Sequence, residues 1–141
     1  MSKNKIIIAS ALLLNANGDL LVVRKKNSSF YMLPGGKVEQ GEKYIHTLIR
    51  ELKEELGLDF NEDDFQFLGQ HETIAANEVN TIVQGNIFKL INPLHAENLQ
   101  AHAELDEVTY LTLQNYTQYK LAHLLEEFAL PIWIQNASNN C

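Results

Sequence analysis

The chain has 141 residues, 45% of them hydrophobic, and a formal net charge of −7. A chain of this size can bury one substantial core and is too short for two ordinary domains. We therefore expect a single domain over residues 1–134 and a polar, frayed tail over 135–141. The acidic balance argues against long-range attraction to an anionic membrane or to an extended nucleic acid. A phosphorylated partner would be a small molecule that meets a local positive charge.

The single cysteine, Cys141, is the last residue, so no internal disulfide is expected and a reducing compartment fits the composition. The apolar run that begins at Ile6 gives way to polar residues by Asn15, and it is too short for a membrane span and unlike a signal peptide. We therefore expect a cytoplasmic protein.

The first part of the chain is predicted to be extended. Residues 6–14 and 20–23 are apolar and rich in β-branched side chains, and the Asn-Gly pair in the connection 15–18 tolerates the positive φ of a tight turn. This pattern predicts a hairpin. Residues 30–33 form another short extended piece, which Pro34 ends.

Residues 42–56 carry a helical pattern. Apolar side chains recur there at steps of three and four and form one stripe: Ile45, Leu48, Ile49, Leu52 and Leu56. Gly57 follows at the position where helices often end in the left-handed conformation. The pair Gly35 and Gly36 precedes this helix and allows a backbone turn without Cβ clashes.

The second half predicts more strands and a late helix. The strands and the turn between the first two are expected at 65–75, 79–91 and 108–111, with the turn at Asn77 and Glu78. A second helical pattern covers 113–129, and Pro131 is expected to close it. This order of elements predicts an α+β fold in which a mixed sheet is covered by helices on both faces.

Three glutamates within the first helix indicate chemistry. Glu51, Glu54 and Glu55 occupy positions i, i+3 and i+4, so their carboxylates are neighbours, roughly 5–6 Å apart at Cβ. Like charges this close require a compensating cation, and Mg²⁺ prefers such oxygen ligands. The alternative is a solvated acidic face. The Pro-Gly-Gly turn ahead of the helix and the adjacent Arg50 favour the metal site.

The spacing of these residues resembles the Nudix box. Every fixed position of the box is matched: Gly36, Glu42, Arg50, Glu51, Leu52, Glu54, Glu55, Gly57 and Leu58. The resemblance implies the family's αβα sandwich over nearly the whole chain. It also implies an enzyme that hydrolyses phosphoric anhydride bonds.

The resemblance further implies a role for each box residue. Glu51, Glu54 and Glu55, with a backbone carbonyl of Gly35 or Gly36, would bind Mg²⁺, for which Mn²⁺ could substitute. Glu51 and Glu54 are the candidate catalytic carboxylates, one of them acting as general base. Arg50 would orient Glu51 by a charge-assisted hydrogen bond, the alternative being an exposed helix pair. Glu42 would brace the loop or join the metal through water.

Four residues are candidates for substrate binding: Lys37, Arg24, Phe30 and Glu104. Lys37 could reach a phosphate or be a solvated loop residue. Arg24, with the lysines that follow it, could screen a phosphate, although such runs are often only solvated. Phe30 could stack on a base or belong to the core. Glu104 or the nearby Glu107 could supply a metal ligand or the base, or lie in a plain surface loop.

The predicted function is cleavage of a nucleoside diphosphate linked to another moiety, with a preference for nucleoside triphosphates as in MutT-like enzymes. An ADP-ribose or other dinucleotide-type substrate is the first alternative. A catalytically silent Nudix-fold module that binds nucleotides is the second, and the intact set of box glutamates argues against it. A homodimer through exposed strands is compatible with the sequence.

Overall fold

The computed structural model describes residues 4–75, 78–96 and 99–139. The strands in these ranges are β1 (Asn4–Leu12), β2 (Leu20–Lys25), β3 (Tyr31–Met32), β4 (Gly35–Lys37), β5 (Phe65–Ile74), β6 (Thr81–Leu90) and β7 (Leu105–Leu111). The α-helices in the same ranges are α1 (Tyr44–Leu56) and α2 (Leu130–Asn139). Neither is long and apolar enough to cross a membrane.

The strands divide between two sheets. Four of them lie in the order β4-β1-β6-β5, with β1 and β6 parallel, and three lie in the order β3-β2-β7. The predicted β5 and β6 pair antiparallel. Asn77, in the turn predicted between them, lies outside the described residues. β7 begins at Leu105, earlier than the pattern at 108–111 indicated.

The predicted hairpin of β1 and β2 is wrong as a strand pair, although its turn forms. Gly18 has a φ of 81°, and its N–H donates to the Asn15 carbonyl at 3.0 Å. Leu14 and Leu20 then make an isolated antiparallel bridge, beyond which the strands enter different sheets. Both strands are apolar on both faces, so each can be buried between helices rather than paired with the other.

Helix α1 confirms the pattern from which it was predicted. Leu48, Leu52 and Leu56 are buried, and Gly57 ends the helix at a φ of 69° while its N–H donates to the Lys53 carbonyl. Because glycine has no Cβ, it adopts this left-handed conformation without steric cost.

The C-terminal helix differs from its prediction. Only the single 3₁₀ turn Tyr116–Gln118 forms early in the range 113–129, and the π-helical segment Leu125–Ala129 leads directly into α2. Pro131 lies inside the helix and does not close it. A proline lacks the N–H of a regular turn, and the wider π turn that precedes it provides a place for its ring. Residues 135–139 continue α2, so the expectation of a frayed tail is wrong for them.

Two hydrophobic clusters pack on opposite faces of the strands. One joins α1 to β1 and β2 through Ala9, Ala11, Leu21, Val23, Leu48 and Leu52. The other joins the C-terminal helix to the opposite side of the same strands through Leu12, Leu20, Val22, Leu125, Ala129 and Trp133. Strand residues alternate between the clusters because successive side chains point to opposite faces. The predicted α+β sandwich is therefore confirmed.

Candidate active site

The glycine pair of β4 lies directly against the acidic helix. Gly36 pairs with Ala9 of β1, and a Cβ placed on Gly36 would lie 2.6 Å from Oε1 of Glu51. At Gly35, where φ is 148°, a Cβ would overlap the backbone oxygen of Ala9. Only glycine allows the strand to approach both its neighbour and the Glu51 carboxylate this closely.

Arg50 connects the loop to the helix. Its guanidinium donates two hydrogen bonds to Glu42, from Nε at 2.9 Å and from NH2 at 3.0 Å, and one from NH1 to Glu51 at 2.9 Å. Thr47 Oγ1 also donates to Glu42. These donors lower the pKa of Glu42 to about 2. A planar donor that grips two carboxylates fixes their orientation, so Arg50 and Glu42 form a brace for Glu51.

Glu55 is the unexpected member of the predicted cluster, because it is not on the solvated surface. Its side chain points inward and the residue is only 5% exposed. In the described part of the chain its carboxylate receives one hydrogen bond, from the Gly35 N–H at 3.2 Å, and has no cation within salt-bridge distance. Burial raises the pKa of Glu55 to about 8. A buried carboxyl group with so few partners is costly unless a cation approaches it.

The other two glutamates have different surroundings. Glu51 is partly buried, which raises its pKa against the opposing effect of Arg50. Glu54 is exposed and lies 3.7 Å from Arg50 NH1. Within the described residues no three acidic, histidine or cysteine side chains converge into a preassembled metal site. The donors nevertheless fit a hard divalent cation, because carboxylates of the α1 helix and the strand carbonyls at Gly35 and Gly36 are oxygen ligands, and Glu55 lacks a counter-charge.

A cavity of about 300 Å³ is lined in part by the glycine pair. Its apolar lining comes from β1, β3, β6 and the C-terminal helix: Ile6, Ile8, Met32, Leu33, Val83, Leu124 and Leu125. Cationic side chains also line it: Lys25, Lys26 and Lys37. An apolar cavity with positive charge at one end suits a ligand that has a hydrophobic body and an anionic group.

Lys25 is the cation that links the cavity to the acidic cluster. It lines the cavity, and its charge acts to lower the pKa of both Glu51 and Glu55. Lys37 also lines the cavity and is exposed. A phosphate between the lysines and the glutamates would lie where both kinds of charge act on it.

Of the four predicted substrate-binding residues, Lys37 lines the cavity, whereas Arg24, Phe30 and Glu104 do not. The NH2 of Arg24 is 2.6 Å from Asp106, its NH1 donates to the Ser28 carbonyl at 2.9 Å, and these bonds occupy the guanidinium. The Phe30 ring instead makes a cation–π contact with the ammonium group of Lys120, which lies 4.3 Å from the ring centroid.

The late acidic residues are separated by the structure. Glu107 accepts a hydrogen bond from the Tyr31 hydroxyl at 2.9 Å and lies 3.5 Å from Arg24, away from the box. Glu104 is exposed and close enough to Glu55 for its charge to raise the Glu55 pKa. Of the two, Glu104 is the one on the side of the acidic cluster.

His123, Thr73 and Ile74 line the far end of the cavity and were assigned to no site from the sequence. They belong to the C-terminal helix and to β5, elements separated by about 50 residues. No spacing rule connects them, and only the packing of the helix on the sheet brings them together.

These features define a class: an α+β sandwich with a braced, glutamate-rich helix beside a cationic cavity. A model of the NUDIX domain matches residues 5–129. Because the match covers most of the chain, the protein belongs to the Nudix family.

Individual relatives are more distant. The chain is 33% identical over 63 residues to the 8-oxo-dGTP diphosphatase of Proteus vulgaris, which covers 42% of this chain and 56% of that protein. It is 27% identical over 128 residues to the mRNA-decapping enzyme subunit 2 of Saccharomyces cerevisiae (strain YJM789), covering 84% of this chain but only 12% of the relative. The MutT Nudix hydrolase from Burkholderia pseudomallei is similar in structure, with a TM-score of 0.72 at 19% identity, covering 94% of this chain and 98% of that one. That likeness establishes the fold.

Proposed function

We propose that this protein is a Mg²⁺-dependent pyrophosphohydrolase that cleaves a nucleoside diphosphate linked to another moiety, with nucleoside triphosphates as the preferred substrates. One observation carries the proposal. The buried Glu55 and the braced Glu51 meet the glycine pair at the wall of a cavity that carries three lysines. An acidic cluster and a cationic cluster that come together near the glycine pair suit a cation and a diphosphate together.

Each box residue receives a role from its contacts. Glu51, Glu54 and Glu55 would hold the cation with a carbonyl of Gly35 or Gly36. A divalent cation bound there supplies charge neutralisation for the diphosphate and a lowered pKa for the attacking water.

The remaining steps are carried out by the chain itself. Glu51 is positioned as the general base, because Arg50 holds its Oε1 and restricts its orientation. Glu54, exposed beside it, is the alternative base. Lys25 and Lys37 would bind phosphate oxygens, and Lys25 takes the place that the sequence prediction gave to Arg24.

The preference for a nucleoside triphosphate rests on two supports. The cavity has an apolar lining large enough for the ring of a nucleoside. The relative from Proteus vulgaris is named for the hydrolysis of 8-oxo-dGTP, and its aligned segment includes half of that protein.

The test is a turnover assay with Mg²⁺ against a panel of nucleoside triphosphates, 8-oxo-dGTP and ADP-ribose, measuring released phosphate and pyrophosphate. We expect hydrolysis of at least one triphosphate and loss of turnover in excess EDTA. Turnover that persists in EDTA would contradict the metal requirement. Binding of panel members with no hydrolysis of any would favour the silent binding module.

A matched pair of variants tests the phosphate contact. Lys25→Met should raise KM by about tenfold, since one charged phosphate contact is worth about 1.5 kcal/mol. Arg24→Met removes a cation of the same strand that does not line the cavity, so it should leave KM unchanged. Equal effects of the two substitutions would show that only general charge matters.

A further inference from the structure

The order of strands in the four-stranded sheet defines the long axis of the cavity. Its floor runs from Lys37 of β4 across β1 and β6 to Thr73 of β5, and the sheet order is β4-β1-β6-β5. Three spacings of about 4.8 Å separate the first strand from the last, so the cavity reaches roughly 14 Å from the glycine pair. Lys37 lies at the near end because it belongs to β4, and Lys25 lies there because its charge acts on Glu55, which accepts a hydrogen bond from Gly35. The far end lies where β5 meets the start of the C-terminal helix.

His123 lies at this far end, and a hydrogen bond to the main chain holds its ring. Its Nδ1 lies 2.8 Å from the carbonyl oxygen of Ile74, and both residues line the cavity. A carbonyl can only accept, so Nδ1 carries the proton. In the neutral ring Nε2 is then an acceptor without a hydrogen, and its direction is fixed by the bond at Nδ1.

Neighbouring contacts keep this corner in place. One helical turn after His123, Glu127 accepts a hydrogen bond from Thr73 Oγ1 at 2.9 Å and pairs with His71 Nε2 at 2.9 Å. On the floor, a Cβ on Gly85 would overlap the side chain of Leu124, so the helix seats closely on β6. We call these contacts of His123 and Glu127 with residues 71–74 the clasp.

We propose that His123 Nε2 accepts a hydrogen bond from a nucleobase at the far end of the cavity. The donor on the base would be an exocyclic amine or a ring N–H. The inference rests on the proposed function for the presence of a nucleotide. The apolar lining accepts the flat ring, Lys25 and Lys37 bind the phosphates, and the histidine supplies an acceptor at the other end of the cavity. A base that lacks the donor would leave Nε2 desolvated and unpaired, which is how polar sites discriminate between similar ligands.

The experiment compares ligands that differ by one donor. ATP is paired with purine riboside triphosphate, which lacks the amino group, and GTP is paired with ITP. KM and kcat are measured with Mg²⁺, and the corresponding monophosphates are titrated calorimetrically without it. The parent should favour the donor-bearing member of at least one pair by about threefold to tenfold in KM and in affinity, with kcat little changed.

Three variants identify the cause of this preference. His123→Phe keeps a flat ring but has no acceptor, and it should bring the ratio within the pair close to one. His123→Gln retains an acceptor and should retain part of the preference even if His123→Phe proves unstable. His71→Gln alters the clasp at a residue that does not line the cavity, so it should leave the ratio unchanged.

The outcomes separate this inference from the proposed function. Monophosphate discrimination that depends on His123, with no triphosphate hydrolysed, would refute the enzyme and keep the inference. A parent that binds none of the four bases, or binds both members of each pair equally, overturns the inference. So does a His123→Phe variant that keeps the full preference.

Discussion

The polar contacts on the two helical faces of this molecule differ in how far they reach along the chain. On the α1 face the bonds of Arg50 and Glu55 join residues separated by 1 to 20 positions. On the opposite face the bonds of the clasp join residues separated by 49 to 56 positions. The first set forms within one loop and helix, whereas the second requires the whole sandwich to be assembled.

This difference assigns different physical tasks to the two faces. The α1 face collects charge on a rigid local scaffold, and its brace fixes carboxylates against the glycine pair. The opposite face forms a wall of the cavity from elements that meet only by packing. Substitutions on the first face should change the chemical step and the pH dependence of stability, and those on the second should change ligand choice and, more weakly, stability.

The strongest way to test this contrast is to remove one charge from each face. Glu51→Gln keeps the size and the helix propensity of the side chain but removes the base, so catalysis should fall by roughly 100-fold or more. Glu126→Gln, an exposed residue of the C-terminal helix, is the matched control and should retain the parent rate. A phosphate-release assay compares the rates of both variants with that of the parent, and circular dichroism verifies that the variants fold. A folded Glu51→Gln protein with the parent rate would remove Glu51 from the mechanism.

Glu55 gives the next largest effect, in stability without metal. Its pKa is about 8 in the folded protein against an ordinary 4.5, so the folded state holds a proton that the unfolded chain releases. Stability therefore falls as the pH rises from 4.5 to 8. In EDTA, Glu55→Gln should be more stable than the parent at pH 8 by up to roughly 4 kcal/mol and nearly equal to it at pH 4.5.

Urea unfolding at the two pH values measures this difference. Glu54→Gln is the control, because Glu54 is exposed and should show little of the effect. Added Mg²⁺ should stabilise the parent more than Glu55→Gln, since a ligand that binds only the folded state stabilises it. Equal shifts with Mg²⁺ would mean that Glu55 does not help to hold the ion.

The same contrast explains what the sequence could predict. The helix 44–56, its glycine cap and the membership of Glu51 and Arg50 in one site follow from spacing within some 20 residues. The burial of Glu55 does not, because the i, i+4 rule places it beside Glu51 but does not say which way the helix is rotated on the sheet. The separation of β1 from β2 and the choice of Lys25 over Arg24 depend on sheet assembly. The role of His123 depends on a helix seated on β6, which no local pattern encodes.

The clasp should contribute a smaller stability effect than Glu55. Glu127→Ala removes the acceptor of Thr73 and the partner of His71, but the Glu127 side chain is 45% exposed and solvent weakens both interactions. We expect a loss of about 1 kcal/mol, or a fall in Tm of roughly 2–4 °C. Glu126→Ala makes the same change at the adjacent exposed position and should have little effect. Identical melting curves for the two variants would show that the clasp adds nothing to stability.

The smallest effect concerns a pair of tyrosine hydroxyls in the three-stranded sheet. Tyr110 packs in the cluster under α1, and its buried Oη has no hydrogen-bond partner among the described residues. Tyr31 Oη donates to Glu107 at 2.9 Å. A buried hydroxyl without a partner is destabilising, whereas a satisfied one contributes about 1 kcal/mol. Tyr110→Phe should therefore leave stability unchanged or raise it by up to about 1 kcal/mol, while Tyr31→Phe should lower it by a similar amount. Urea unfolding of both variants at one pH makes the comparison, and a Tyr110→Phe protein destabilised as much as Tyr31→Phe would show that the Tyr110 hydroxyl is hydrogen-bonded in solution.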